Sequence, residues 1–397
     1  MDFETITTDS QLADVCRQIA DAEFVGLDTE FVAEHSYRPQ LCLVQLSVDG
    51  KAIIIDPLSI DNIKPLWEAI ASGEHETIVH AGREEIIFCH VATNAVPRNL
   101  FDIQIAAGLI GMEYPGGYGS LSQKLLGATP SKGETRTDWR KRPLSDRQLQ
   151  YAINDIVYLK PMRDQIRQKL VELKRLDWLD AELTRWVEGI RAAQDGDRWR
   201  RVSGTTNLSP RHKAIVRELW HWREIEAERR NTPPRRVLRD DLIVEMARRQ
   251  TTDPKRIGAL RGMDRPDLRR AHAALAECIR RGTEVPEEKL PQSRHRRQPP
   301  PQITMLGQFL ASAVASLCHS ADLAPSIVGN PTDVRDLIAY RLGYYHANDL
   351  PPALAVGWRA EVMGGVINDL LDGKLAIRIT DPRSDEPLSL TRVDDST

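Results

Sequence analysis

Up to about residue 170 the chain alternates between short apolar runs and longer amphipathic ones; beyond about residue 205 the short runs stop. "FVGLDTEF" (24–31), "QLCLVQLSV" (40–48) and "KAIIIDPL" (51–58) are compact, β-branched and apolar, and predict three strands; "ETIVHAG" (76–82) predicts a fourth, shorter one. Helical spacing follows in "REEIIFCHVAT" (83–93), in the helix-like run "LFDIQIAAGLIGM" (100–112), and in "SLSQKLLG" (120–127). "SDRQLQYAINDIVYLKPMRDQIRQKLVEL" (145–173) opens on a Ser-Asp cap signal. Hairpin-like strands first, then strands alternating with helices, imply a mixed sheet covered by helices.

Past residue 205 the pattern is helical. "SPRHKAIVRELWHWREIEAERRN" (209–231), "PPRRVLRDDLIVEMARRQ" (233–250), "DPKRIGALRG" (253–262) and "RPDLRRAHAALAECIRRG" (265–282) make a small all-helical unit. "VPEEKLPQSRHRRQPPPQ" (285–302) is rich in Pro and charge and is expected to be a linker. A third, mostly helical unit begins at Ile303, and the tail "TDPRSDEPLSLTRVDDST" (380–397) is expected to fray.

At 397 residues, 41% hydrophobic and 28% charged, the chain has material for two or three soluble domains. Apolar stretches long enough to span a bilayer are not expected, and the acidic N-terminus lacks an apolar signal core, so a cytoplasmic protein without a membrane partner is expected. Five scattered cysteines with no CxxC pair argue against a zinc site or a disulfide scaffold. The net charge of -3 is unevenly spread. Residues 1–200 hold 23 Lys and Arg against 31 Asp and Glu, a balance of -8; residues 201–300 hold 24 against 14, or +10; residues 301–397 hold 7 against 12, or -5. A basic middle between acidic flanks points to a polyanionic partner or to a helical bundle with solvated Arg-rich faces.

The sharpest chemical signal is "GLDTEF" (26–31), which puts Asp28 and Glu30 two apart on a strand, facing the same way. Like charges on one face repel unless a cation sits between them, and hard ions such as Mg²⁺ or Mn²⁺ take carboxylate oxygens. In "YAINDIVYL" (151–159), Tyr151 and Asp155 share a helix face and interrupt apolar residues; a Tyr hydroxyl packed beside a capping carboxylate, a common motif, is the alternative. "VHAGREEIIFC" (79–89) stops a strand at His80 and Gly82 and starts a helix with Glu84 and Glu85, residues that also suit the helix dipole. "ETRTDWRKRPLS" (134–145) surrounds Trp139 with Arg136, Arg140, Lys141 and Arg142, a pattern that suits phosphates and a stacked base, or a solvated loop anchored by one Trp.

Together, "DTEF", "HAGREEI" and "YAINDIVYL" resemble the three motifs of DEDD-type 3′→5′ exonucleases, in the subgroup with tyrosine in the third motif. "FDIQIAA" and "TDWRKRPLSDRQLQYA" resemble the bacterial ribonuclease D family, the basic unit resembles an HRDC domain, the module shared with RecQ helicases, and "GWRAEVMGGVINDLL" (357–371) resembles the last helix of that family's second HRDC-like domain. The resemblance implies a ribonuclease H-like α/β exonuclease domain followed by two all-α HRDC-like domains. The expected layout is 1–172 exonuclease, 173–205 helical connector, 206–287 HRDC domain, 288–302 linker, 303–385 C-terminal HRDC-like domain and 386–397 tail.

It further implies two-metal hydrolysis of RNA from the 3′ end, releasing nucleoside 5′-monophosphates, with Mg²⁺ or Mn²⁺. Asp28, Glu30 and Asp155 would hold one ion, Asp28 and Glu85 the second, and Tyr151 would orient the attacking water; a tyrosine's ordinary pKa of ~10 makes it a poor free base. Trp139, Arg136, Arg140 and Arg142 would hold the 3′ end, and the +10 segment would supply affinity for structured RNA such as tRNA precursors, in a protein expected to be monomeric. The family has aspartate where this chain has Glu85, a side chain longer by about 1.5 Å. Asp102 is a conceivable substitute, better explained as a helix cap. A DNA 3′→5′ exonuclease of the RecQ-associated type and a catalytically weakened RNA-binding protein stay open as rivals.

Overall fold

The computed structural model describes residues 3–130, 133, 137–291, 300–345, 350–384 and 387–393. Its first part is built on β1 (Phe3–Ile6), α1 (Asp9–Asp21), β2 (Phe24–Val32), β3 (Gln40–Val48), β4 (Lys51–Ile55), α2 (Lys64–Ser72), β5 (Glu76–Val79), α3 (Arg83–Thr93) and β6 (Asn99–Asp102). The helices α4 (Ile103–Gly108), α5 (Tyr118–Leu126), α6 (Asp146–Val157), α7 (Leu159–Glu172) and α8 (Leu176–Asp195) follow. The six strands run in the order β1-β4-β3-β2-β5-β6, with β4-β3-β2 antiparallel and the flanking pairs parallel. Alternation decides the faces: Val25, Leu27, Val44, Leu46, Ile53 and Ile55 are buried with residues of α1 and α2, while Leu43, Ile54 and Ile78 are buried with residues of α4, α6 and α7.

Two strands escape sequence patterning. The edge strand β1 is only "FETI", half polar, and is fixed by parallel pairing to β4. The second, β6, runs directly into α4, so "LFDIQIAAGLIGM" (100–112) reads as one helix-like run. Parallel pairing of β6 to β5 and the cap at Asp102 divide it.

The second unit comprises α9 (Pro210–Arg229), α10 (Pro234–Val237), α11 (Asp240–Arg249), α12 (Pro254–Gly258), α13 (Pro266–Arg269) and α14 (His272–Glu284), closed around its own apolar core. Tyr37 of the β2–β3 loop packs against that core; its backbone N–H donates to Asn231 (3.1 Å), and Arg38 pairs with Glu228 (2.9 Å). The loop that leaves β2 is thus tied to the second unit.

The third unit holds α15 (Pro301–Ser320), α16 (Pro325–Val328), α17 (Pro331–Arg341) and α18 (Gly357–Leu371), and ends in an antiparallel hairpin of β7 (Leu375–Ile379) and β8 (Leu388–Arg392). The expectation of an all-α domain whose 380–397 tail frays is corrected for the described residues: "LAIRI" (375–379) and "LSLTR" (388–392) pair in antiparallel register. By length and composition α15 is apolar enough to cross a membrane, contrary to the sequence expectation, but it packs against α17 and buries Ile303, Gly307, Leu310, Val314 and Cys318.

One apolar core joins this third unit to the nuclease part. Arg175, buried, donates to the carbonyls of Leu109, Ala321 and Asp322, and the Ala324 N–H donates to the Gly108 carbonyl (2.9 Å). Trp178 stacks on Trp358 at 5.2 Å, and Arg359 makes a two-pronged bridge to Glu182 at 2.6 and 2.9 Å. Both partners of that bridge are largely buried, so removing one strands the other without a counter-charge. Glu182→Ala is expected to cost about 3–5 kcal/mol at this junction, read as a lower unfolding midpoint in urea; an unchanged midpoint would show that the bridge is not part of the joint.

Candidate active site

Asp28 and Glu30 stand on the face of β2 covered by α6, and Gly26 precedes them. A Cβ at Gly26 would lie 3.2 Å from Ser47 and 3.3 Å from Leu159, so glycine lets the start of α7 close on the sheet. That approach carries the end of α6, with Asp155, toward β2. A capping box between Ser145 and Gln148 sets the start of α6, and four-residue spacing puts Tyr151 and Asp155 on one side of it. A register shift between Glu30 and Phe31 marks a bulge, the usual device for re-aiming a side chain beside a site.

Carboxylate oxygens of Asp28, Glu30 and Asp155 all come within 4.8 Å of one another. They line a cleft of about 400 Å³ together with Leu27, Thr29, Phe31, His80, Tyr118, Tyr151 and Leu159. Burial, then the negative charges of Glu85, Asp155 and Glu30, hold the Asp28 carboxyl well above the usual carboxylate range. Burial, with Asp155 and Glu85, pushes Glu30 up to about 8, and burial lifts Asp155 to about 7 against a hydrogen bond from Tyr151. The charges that act most strongly on Asp28 and Glu30 are all carboxylates. Such oxygen donors fit a hard divalent cation, which would relieve the repulsion and hold the groups ionised.

Glu85 stands apart from this trio. The tight turn at Gly82, where a Cβ would strike Val79 at 2.5 Å, starts α3 and buries Glu85. Its Oε1 accepts from the Thr29 hydroxyl at 2.5 Å, and burial lifts it to about 7. Its charge reaches Asp28 and Glu30, but among the described residues the close ligand set comprises Asp28, Glu30 and Asp155 alone. Asp102 is a cap: it accepts from the backbone N–H groups of Gly82 (2.9 Å), Gln104 (2.8 Å) and Ile105 (3.1 Å), pinning the turn that presents Glu85.

The expected RNA-holding group is corrected at Trp139 and Arg142. Trp139 is 2% exposed, sunk in the core beside Tyr151, and has no face for a base. A large ring gains more from burial than from display in a loop. Arg142 is a structural pin: it grips Asp56 through two 2.6 Å bonds and donates to the carbonyls of Trp139, Lys141 and Cys42. Arg140 is exposed but engaged with Asp138, and Arg136 lies outside the described residues. Patterning missed Tyr118 and His80 as cleft residues. The Tyr118 hydroxyl donates to the Asn154 carbonyl (2.8 Å), His80 bonds the Gly116 carbonyl through Nε2 (2.9 Å), and the two rings meet edge-on at 5.5 Å. The Gly-rich turn "YPGGYGS" was the available signal.

A mixed sheet that carries three clustered, half-buried carboxylates in a cleft is the arrangement of a metal-dependent hydrolase, and the family likeness narrows the class to a nuclease. Residues 3–171 match the 3′-5′ exonuclease family and residues 212–279 the HRDC domain. The chain is 33% identical over 384 residues to ribonuclease D of Jannaschia sp., covering 94% of this chain and 96% of that one. It is 32% identical over 388 residues to ribonuclease D of Zymomonas mobilis, covering 94% and 95%. The crystal structure of Escherichia coli RNase D, described as an exoribonuclease involved in structured RNA processing, superposes with a TM-score of 0.78 at 26% identity, covering 94% of this chain and 99% of that one. The chain belongs to the ribonuclease D family of 3′→5′ exoribonucleases. This likeness over nearly the whole length does not favour a RecQ-associated DNA exonuclease or a weakened binding protein. The family and the carboxylate trio together indicate use of a divalent metal.

Raised carboxyl pKa values mean that Glu30, Glu85 and Asp155 bind more protons in the ion-free folded chain than in the unfolded chain between about pH 4.5 and 8, which outweighs the opposite shift of the desolvated His75 and His80. Its stability therefore falls as pH rises through that window. The ion-free melting temperature should drop from pH 5 to pH 8, and Mn²⁺ should raise it more at pH 8 than at pH 5. Equal melting temperatures at both ends, with no ion effect, would contradict this electrostatic description.

Proposed function

We propose that the protein is a 3′→5′ exoribonuclease that trims structured RNA, tRNA precursors among them, from a free 3′ end. It releases nucleoside 5′-monophosphates and works as a cytoplasmic monomer with two divalent ions, Mg²⁺ or Mn²⁺. The observation that carries this reading is the convergence of Asp28, Glu30 and Asp155 beside Tyr151 in one cleft. Five unpaired cysteines suit a reducing compartment.

In this reading Asp28, Glu30 and Asp155 would hold one ion, and Asp28 with Glu85 would support the second. When bound, the ions lower the pKa of the attacking water and offset charge on the leaving 3′-oxygen. Tyr151, held against Asp155, orients that water through its hydroxyl. Tyr118 and His80 wall the cleft, and Phe31 and Leu159 give it apolar contact for the terminal nucleotide. The carboxyls shed their protons as the ions enter, because burial holds those protons near neutral pH.

Affinity for RNA comes from the second unit. Many of its arginines are tied down, among them Arg223 to Asp240, Arg230 to Glu226, Arg249 to Glu245 and Arg280 to Glu277 and Glu284. Arg261, Arg269 and Arg270 are exposed and offer charge to phosphates.

Three measurements test this reading. End-labelled RNA and DNA of the same sequence should separate the substrates: stepwise shortening of RNA from its 3′ end with Mg²⁺ or Mn²⁺, abolished by chelator, is expected, and chelator-resistant cleavage would refute it. Glu85→Gln, which keeps the shape and removes the charge, should slow hydrolysis strongly, while Glu85→Asp should keep or raise the rate and shift the Mg²⁺-to-Mn²⁺ preference. A Gln variant at full rate would leave Glu85 as a Thr29 partner only. Replacing Arg261, Arg269 and Arg270 by Ala should lower the salt dependence of RNA binding by up to about 2 in log–log slope; an unchanged slope would move the RNA path elsewhere.

A further inference from the structure

One polar side chain in the sheet is not used by the chemistry above. Gln45 lies in the middle of β3, fully buried, and neither its amide nitrogen nor its oxygen has a hydrogen-bond partner among the described residues. Buried polar groups in native proteins are nearly always paired, and an exception calls for a reason.

Its position supplies one. Across the sheet Gln45 is registered with Asp28 on β2 and with Ile54 on β4. Directly opposed residues of an antiparallel pair share a face, with Cβ atoms ~4.5–5.5 Å apart, within the combined reach of a Gln and an Asp side chain. Ile54 can accept nothing from an amide, whereas Asp28 carries a carboxylate. A hydrogen bond from the Thr29 backbone acts on Asp28, and the charges bearing on it are all negative.

We propose that Gln45 is a positioning residue for the ion site: its amide N–H₂ donates to the ionised Asp28 carboxylate and fixes which oxygens face the cleft. An uncharged donor is the suitable choice there. A Lys or Arg would neutralise Asp28 and compete with the cation, while an amide orients the carboxylate and leaves its charge available. Ligand carboxylates are commonly held by such partners, whose loss typically weakens metal affinity ~10- to 100-fold. The inference rests on the reading of Asp28 as an ion ligand.

The test compares full-length wild type with Gln45→Leu and Gln45→Met, the second unbranched and close to the native shape. Thermal melts without ions and across a MnCl₂ titration give the Mn²⁺ concentration at half-maximal stabilisation. Both variants are expected to melt without ions at or above the wild-type temperature, because an unpaired amide has been removed from the core. Their Mn²⁺ midpoint should rise ~10- to 100-fold, and kcat should fall while KM for RNA stays in place. A wild-type Mn²⁺ midpoint would overturn the proposal. So would an ion-free melting temperature lowered in both variants, since the amide would then already be making bonds that hold the fold. Asp28→Asn, run in parallel, separates the two layers. If it too keeps the wild-type midpoint, the ion-site reading fails; if it loses ion binding and the Gln45 variants do not, only the role of Gln45 fails.

Discussion

Mutual repulsion among clustered, largely desolvated carboxylates is the constraint around which this nuclease domain is arranged. Asp28, Glu30 and Asp155 bring oxygens within 4.8 Å of one another in a cleft that excludes much of the water, and Glu85 adds its field from behind the strand. Left to themselves these groups keep their protons near neutral pH. A hard divalent cation resolves the conflict, and the requirement for one turns an unfavourable cluster into a working site.

The surrounding fold keeps that cluster together. Gly26 lets α7 approach the sheet, the bulge after Glu30 re-aims the strand, the capping box starts α6 in phase, and Asp102 ties down the turn that leads to Glu85. Farther out, Arg142 clamps the segment before α6 to Asp56 just after β4, and Arg175, with the Arg359–Glu182 bridge, fastens the third helical unit to the nuclease part. The loop leaving β2 is held by the second unit through Tyr37 and Arg38, so the strand that carries Asp28 and Glu30 ends against the basic helices. The acidic cleft and the basic helical unit are thus joined by this loop although their residues lie far apart in sequence.

Much of this was legible in the chain because the physics is local. Short, compact apolar runs marked β2, β3, β4 and β5, and a two-residue spacing put Asp28 and Glu30 on one face. Non-local decisions were not legible. The edge strand β1 and the four-residue β6 exist through parallel pairing, and the β7–β8 hairpin through a cross-strand register that short runs do not announce. The basic loop around Trp139 misled because residue type cannot tell a displayed indole from a buried one, nor a phosphate-binding Arg142 from one already committed to Asp56. Thr29 was invisible as the partner of Glu85 because the two lie 56 positions apart.

The central claim is that the acidic cluster exchanges protons for cations. Calorimetric titration of the ion-free protein with Mn²⁺ at pH 7, in two buffers of different ionisation enthalpy, counts the protons released on binding. With Glu30 near 8, Glu85 and Asp155 near 7, and Asp28 raised as well, binding should release at least one proton per chain, and the release should diminish as the pH is raised above 8. Tight Mn²⁺ binding with no proton release at pH 7 would contradict the account, because the carboxylates would then be ionised before the ion arrives.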